Sequence, residues 1–208
     1  MEPILVRLVT CFALGTIPFA VIAMAGSGID IRKVGSGNPG FNNVLRVSKS
    51  RAVVALIGDM GKGYGALWLV LKAWAPGGAV SGPNAIGWAW AFGLAAVLGH
   101  CYSPLLRFNG GKGIATSAGV MLMLYPAWAL VALAYFVIVR IGLGKLKWRE
   151  AGALASLTTW ALFTILMFAF VGSIDGAYAA VMTFFLTWRH SKNLGNLWRG
   201  EAVAVKMR

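Results

Sequence analysis

The chain alternates long apolar runs with short polar connections. The runs cover residues 4–25, 52–75, 85–99, 114–124, 127–139, 151–171 and 176–188, the fourth and fifth hinged at Pro126. A helix needs roughly 20 mostly apolar residues to cross the ~30 Å hydrocarbon core. Several runs are shorter, so tilted or broken helices are expected. The pattern predicts an all-α polytopic membrane protein of about seven transmembrane helices, forming a single integral membrane domain over residues 1–208.

Composition agrees and charge adds an orientation. Of 208 residues, 59% are hydrophobic and 12% charged, and the mean hydropathy is +0.74, far above a soluble domain. There are 19 Lys and Arg against six Asp and Glu. Arg32, Lys33, Arg46, Lys49 and Arg51 follow the first run, and Arg107 and Lys112 the third. Arg140, Lys145, Lys147 and Arg149 follow the fifth, and Arg189, Lys192, Arg199, Lys206 and Arg208 the last. Arg7 and Lys72 lie on the opposite side, Lys62 sits inside the second run, and the connection 76–84 carries no charge. The positive-inside rule therefore puts the N-terminus outside and the C-terminus in the cytoplasm. With no soluble domain to carry a contiguous basic face, nucleic acid is excluded as a partner. Ala23-Met24-Ala25 resembles a signal-peptide cleavage site, but cleavage would export Arg32 and Lys33 and break the charge alternation. Cys11 and Cys101 fall at opposite ends of their runs, too far apart for a disulfide.

The cytoplasmic connections carry the candidate chemistry. In "GSGNPGFNNVLR", residues 35–46, Gly35, Gly37 and Gly40 permit positive φ and close approach, and Pro39 fixes a turn. Such a turn can aim backbone N–H groups at an anion. Ser36, Asn38, Asn42 and Asn43 add neutral donors, and Arg46 a fork suited to phosphate. The same loop also reads as a flexible interfacial connection. In Gly110-Gly111-Lys112-Gly113 one lysine sits in a glycine turn opening the next helix, a usual setting for an anion. It does not match the P-loop pattern, because Gly113 follows the lysine, so an ATPase is excluded. Asp59 and Lys62, three apart within a run, can pair or contact a ligand. His190 and Asn193 share a helical face as the last run ends. His190 is a structural histidine, a proton carrier or an oxyanion donor. His100 stands alone, and no His/Cys/Asp/Glu cluster has metal-ligand spacing, so no metal site is expected.

Four motifs together carry a resemblance: Ser36 to Arg46 (S-G-N-P-G-x-x-N-V-x-R), Gly58 to Gly63 (G-D-x-x-K-G), Gly99 to Thr116 (G-H…F-x-G-G-K-G-x-A-T) and Arg189 to Asn193 (R-H-x-x-N). In type and order the chain resembles the bacterial acyl-phosphate:glycerol-3-phosphate acyltransferases over nearly its whole length. The resemblance implies a multi-pass enzyme of the bacterial inner (plasma) membrane with its site on the cytoplasmic side. It implies acyl transfer from acyl phosphate to the 1-hydroxyl of glycerol 3-phosphate, giving lysophosphatidate and phosphate. Neither a cofactor nor an acyl-carrier protein as direct donor is implied; the other partner is membrane lipid. The site residues carried over are Ser36, Asn38, His190 and Asn193, with Arg46, Lys112, Gly110, Gly111 and Asn42 toward phosphate.

The sequence also departs from the family pattern. Asn42 stands where the family usually has Thr, and an amide can still donate and accept. A serine pair expected at the start of the sixth run aligns with Gly152-Ala153, leaving Ser156 or Thr158 to supply a hydroxyl. Asn196 occupies an Arg position. These changes leave open a divergent homologue of low activity.

Acyl phosphate is already activated, so catalysis needs positioning and charge stabilisation and no covalent intermediate. No carboxylate in the sequence is evidently poised as a general base, so the substrate phosphate is expected to take the proton. A transporter or binding protein for a phosphorylated solute would also use cations and glycine-broken helices, but the polar motifs cluster on one side and no inverted repeat is visible.

Overall fold

The computed structural model describes residues 2–73, 82 and 84–199, and every regular element among them is helical. The expected connection at 76–84 lies outside the described residues except for Gly82 and Asn84, as do Lys206 and Arg208. The helices group into two compact units, one built on the chain up to Leu124 and the other starting at Tyr125.

In the first unit, α1 (Glu2–Gly15) and α2 (Phe19–Met24) make up the first apolar run. They are separate because Pro18 has no N–H to continue the helix. A loop then leads to the short α3 (Phe41–Val47) and to α4 (Lys49–Trp68), which ends in a π-turn at Leu69–Ala73. Ser48 caps α4, its Oγ accepting from Arg51 N at 3.4 Å. Two further helices follow, α5 (Ala85–Cys101) and α6 (Ile114–Leu124). α6 packs on α4 through Gly119, where a Cβ would stand 1.9 Å from the Met60 carbonyl oxygen. α5 packs on α1 through Gly99, where a Cβ would stand 2.1 Å from the Phe12 carbonyl oxygen. Small residues that let backbones approach are how helices associate where lipid is as apolar as they are. The Ala23–Met24 segment is part of a buried cluster with Ala20, Ile31, Val44, Ala52 and Ala55.

The second unit contains α7 (Pro126–Lys145), α8 (Ala151–Phe170), α9 (Ser173–Arg189) and the short α10 (Ser191–Trp198). Pro126 opens α7 at a position where a missing N–H costs nothing. α8 lies between α7 and α9. Trp128 stacks on Phe170 at 4.9 Å, and the Thr164 and Thr183 hydroxyls meet at 2.8 Å between α8 and α9.

Each of the seven predicted runs is built mainly of helix where described, the first of them broken at residues 16–18. Among the described residues, five helical segments are long and apolar enough to cross a membrane: Pro3–Met24, Lys49–Ala73, Ala85–Leu106, Pro126–Lys145 and Ala151–Phe170. α6 is apolar but shorter, and α9 has 17 residues.

Candidate functional site

The first polar loop is organised by Asn43, not by the glycines alone. Asn43 is buried on α3, and its Nδ2 donates to the carbonyls of Ile31 (2.9 Å) and Val34 (3.0 Å). Its Oδ1 accepts from Ser36 N at 3.0 Å. One amide thus folds the segment before α3 back onto that helix. Gly35 makes room for it: φ is +57°, and a Cβ there would lie 2.2 Å from Asn43 Oδ1. Gly37 also has positive φ, but Gly40 has an extended backbone at φ −156° and caps α3. Gly40 uses close approach and not positive φ, since a Cβ there would stand 2.9 Å from Asn38 Nδ2. On this frame Ser36, Asn42 and Arg46 are exposed and Asn38 is half-buried. Of the two neighbouring asparagines, Asn43 is buried scaffold and Asn42, the one carried over as a site residue, is exposed.

Two other cations of this connection already have partners. Arg32 makes a two-pronged pair with Asp30, at 2.9 and 3.0 Å. The hydrogen bond from its side chain holds the Asp30 carboxyl below the usual carboxylate range. Arg51 Nη1 donates to the carbonyls of Ala23 (2.6 Å) and Ala25 (2.8 Å), capping the end of α2.

The lysine loop is held closed by its backbone. Gly110 N donates to Cys101 O (3.1 Å) and Gly111 N to His100 O (3.2 Å), tying the loop to the end of α5. Gly111 lies against the His100 ring, where a Cβ would stand 2.1 Å from Nε2. Lys112 is half-buried, and α6 begins two residues later.

His100 does not stand alone, as its isolation in the sequence suggested. Its Nδ1 lies 3.4 Å from Asp59 Oδ1, which also pairs with Lys62 Nζ at 2.8 Å. All three residues are buried. Lys62 Nζ also donates to Ile17 O (2.6 Å) in the α1–α2 break and lies 5.9 Å from the Phe19 ring centre. Ser103 Oγ donates to the neighbouring Thr16 O at 2.7 Å. Distance in sequence hid His100's partner.

In the second unit, His190 closes α9 and opens α10 and is buried. Its Nδ1 lies 2.8 Å from Leu186 O. A carbonyl can only accept, so Nδ1 carries a proton and donates it to Leu186 O, which fixes the ring's orientation. Asn193 Nδ2 donates to Glu150 Oε2 (2.6 Å) and Asn196 Nδ2 to Glu150 Oε1 (3.1 Å). A carboxylate therefore does stand at a predicted site residue. Sequence reasoning passed over it, since Glu150 is an isolated acid in a basic connection. The hydroxyls considered as replacements for the serine pair bond to their own helix. Ser156 Oγ donates to Gly152 O (2.7 Å), and Thr158 Oγ1 to Leu154 O (2.9 Å).

The predicted residues thus fall into three groups. Ser36, Asn38, Asn42 and Arg46 belong to α3 and its preceding loop, and Gly110, Gly111 and Lys112 to the α5–α6 loop. His190 and Asn193 belong to the α9–α10 corner. The family model described as glycerol-3-phosphate acyltransferase matches residues 5–200. The chain belongs to the glycerol-3-phosphate acyltransferase family. It is 37% identical over 207 residues to the glycerol-3-phosphate acyltransferase of Burkholderia pseudomallei (strain K96243), covering 97% of this chain and 95% of that one. It is 37% identical over 203 residues to that of Paraburkholderia xenovorans (strain LB400), covering 97% and 90%. Among solved structures it is similar to PlsY (YgiH), an integral membrane glycerol 3-phosphate acyltransferase. The crystal structure of the glycerol 3-phosphate form matches with a TM-score of 0.77 at 29% identity, covering 96% of this chain and 94% of the other. The lysophosphatidic acid form matches with a TM-score of 0.76 at 28% identity, covering 96% and 93%. Family and fold together make this a multi-pass membrane acyltransferase.

Proposed function

We propose that the enzyme transfers an acyl group from acyl phosphate to the 1-hydroxyl of glycerol 3-phosphate. The observation that carries this reading is the likeness, over nearly the whole chain, to a membrane acyltransferase solved in a glycerol 3-phosphate form. In the reaction the hydroxyl oxygen attacks the acyl carbon and the bond from that carbon to the phosphate oxygen breaks. An ester forms, and the hydroxyl proton ends on the released phosphate.

The roles follow from chemistry and placement. Arg46, exposed on the last turn of α3, and Lys112, on its closed loop, bind phosphate oxygens. Gly110 and Gly111 form the turn that holds Lys112, and Ser36, Asn38 and Asn42 offer neutral hydrogen bonds to substrate oxygens. His190, oriented by the bond from its Nδ1 to Leu186 O, stabilises the attacking hydroxyl or the developing oxyanion. Residues 1–208 work as one catalytic domain of seven spans in the bacterial inner membrane. The N-terminus is outside, and the site is on the cytoplasmic side with the basic connections.

No acyl-carrier protein is needed as direct donor, because the phosphate leaving group already activates the acyl carbon. The test offers purified protein palmitoyl phosphate or palmitoyl-CoA at equal concentration with glycerol 3-phosphate. Lysophosphatidate is expected from the acyl phosphate alone; equal or faster turnover of palmitoyl-CoA would overturn the donor assignment.

A further inference from the structure

We propose that Glu150 is a positioning residue for acyl transfer: it fixes the Asn193 amide and thereby assigns Asn193 to the hydroxyl end of glycerol 3-phosphate. This rests on the acyltransferase reading above. Glu150 precedes α8 and has φ +54°, a left-handed conformation that a residue with a Cβ adopts at a cost. Its carbonyl accepts from Ala153 N (2.8 Å) and Leu154 N (3.0 Å), opening α8, while its carboxylate reaches across to α10. Backbone strain in a residue whose side chain bridges two asparagines of a site motif is typical of a functional position.

The chemistry of the bridge fixes an orientation. Asn193 and Asn196 lie three residues apart on one face of α10, and Glu150 contacts each with one oxygen. An ionised carboxylate only accepts, so each amide must turn its nitrogen toward Glu150. The Asn193 oxygen is then directed away from the carboxylate, as an acceptor. Ionised acyl phosphate has no proton to give an acceptor, whereas the glycerol moiety has two hydroxyls. A carboxylate 2.6 Å from Asn193 Nδ2 also makes this a poor place for a second anion. Both effects direct Asn193 to the hydroxyls and away from either phosphate. A purely tertiary clamp between α8 and α10 would have no such selectivity.

Steady-state kinetics with each substrate varied in turn, on wild type, Glu150→Gln, Glu150→Ala, Asn193→Ala and the Glu150→Ala/Asn193→Ala double variant, separate the two cases. Glu150→Ala should lower kcat/KM for glycerol 3-phosphate about tenfold or more, the size of one lost charged hydrogen bond. Its KM for palmitoyl phosphate should stay within about twofold. The double variant should be no worse than Asn193→Ala, because Glu150 acts through that residue. Glu150→Gln, nearly isosteric and with one acceptor oxygen left, should fall between wild type and Glu150→Ala, and it answers the question if the alanine variant does not fold. Equal losses for both substrates, additive losses in the double variant, or wild-type kinetics in Glu150→Gln would each overturn the assignment. A wild-type protein that forms no lysophosphatidate would remove the acyltransferase reading itself, and this assignment with it.

Discussion

Lys112 combines a flexible cation with a rigid mount. Its loop is closed onto α5 by Gly110 and Gly111, and Gly111 leaves no room for a side chain beside His100. The ammonium therefore starts from a defined place, and a charged contact with phosphate is typically worth ~1.5–3 kcal/mol. Lys112→Ala should lower kcat/KM at least ~10-fold, since ~1.4 kcal/mol is one decade. Lys112→Arg should restore little, because a planar fork is wider than an ammonium. Kinetics on purified, folded protein check this; full activity in Lys112→Arg would reduce the residue to a topogenic charge. The sequence made Lys112, Arg46 and His190 legible, because cations and a histidine among glycines point to anion chemistry. Residue type alone could not separate Asn43 from Asn42, or find Glu150. Which amide is buried, and which carboxylate meets it, depends on contacts such as that between residues 150 and 193, distant in sequence.

α4 shows what a helix gains from ionisable groups inside it. Asp59 and Lys62 are buried on the α4 surface facing the α1–α2 break, where Lys62 donates to the Ile17 carbonyl. Removing one partner of a buried pair leaves an uncompensated charge, at a cost of about 3–5 kcal/mol. Lys62→Met should therefore clearly lower the thermal midpoint of the purified protein. Replacing both partners, as Asp59→Leu/Lys62→Met, should recover part of the loss. A midpoint unchanged in Lys62→Met would show that the pair contributes nothing to the packing of this unit. The helices themselves were legible because apolar runs of bilayer length leave few alternatives. The break at Pro18 and the short α3 and α10 were not. α3 and α10 are too short to show a periodicity, and each is held by contacts from elsewhere, Asn43 to Ile31 and Glu150 to Asn196.

At the scale of the whole molecule, the cations do two kinds of work. Arg51 caps a helix and Arg32 holds Asp30, while the basic connections as a set give the chain its proposed orientation. The family departures at residues 152, 153 and 196 do not leave the C-terminal motif without polar partners, since Glu150 engages both Asn193 and Asn196. Sidedness and chemistry meet in one measurement. Inside-out and right-side-out vesicles carrying the overproduced protein are given palmitoyl phosphate and glycerol 3-phosphate, with rates corrected for vesicles lacking it. Glycerol 3-phosphate, as a dianion, does not cross the bilayer unaided. The account predicts lysophosphatidate and phosphate in equal amounts from inside-out vesicles and almost none from right-side-out ones. Product formed equally by both orientations, or phosphate released without lysophosphatidate, would contradict it.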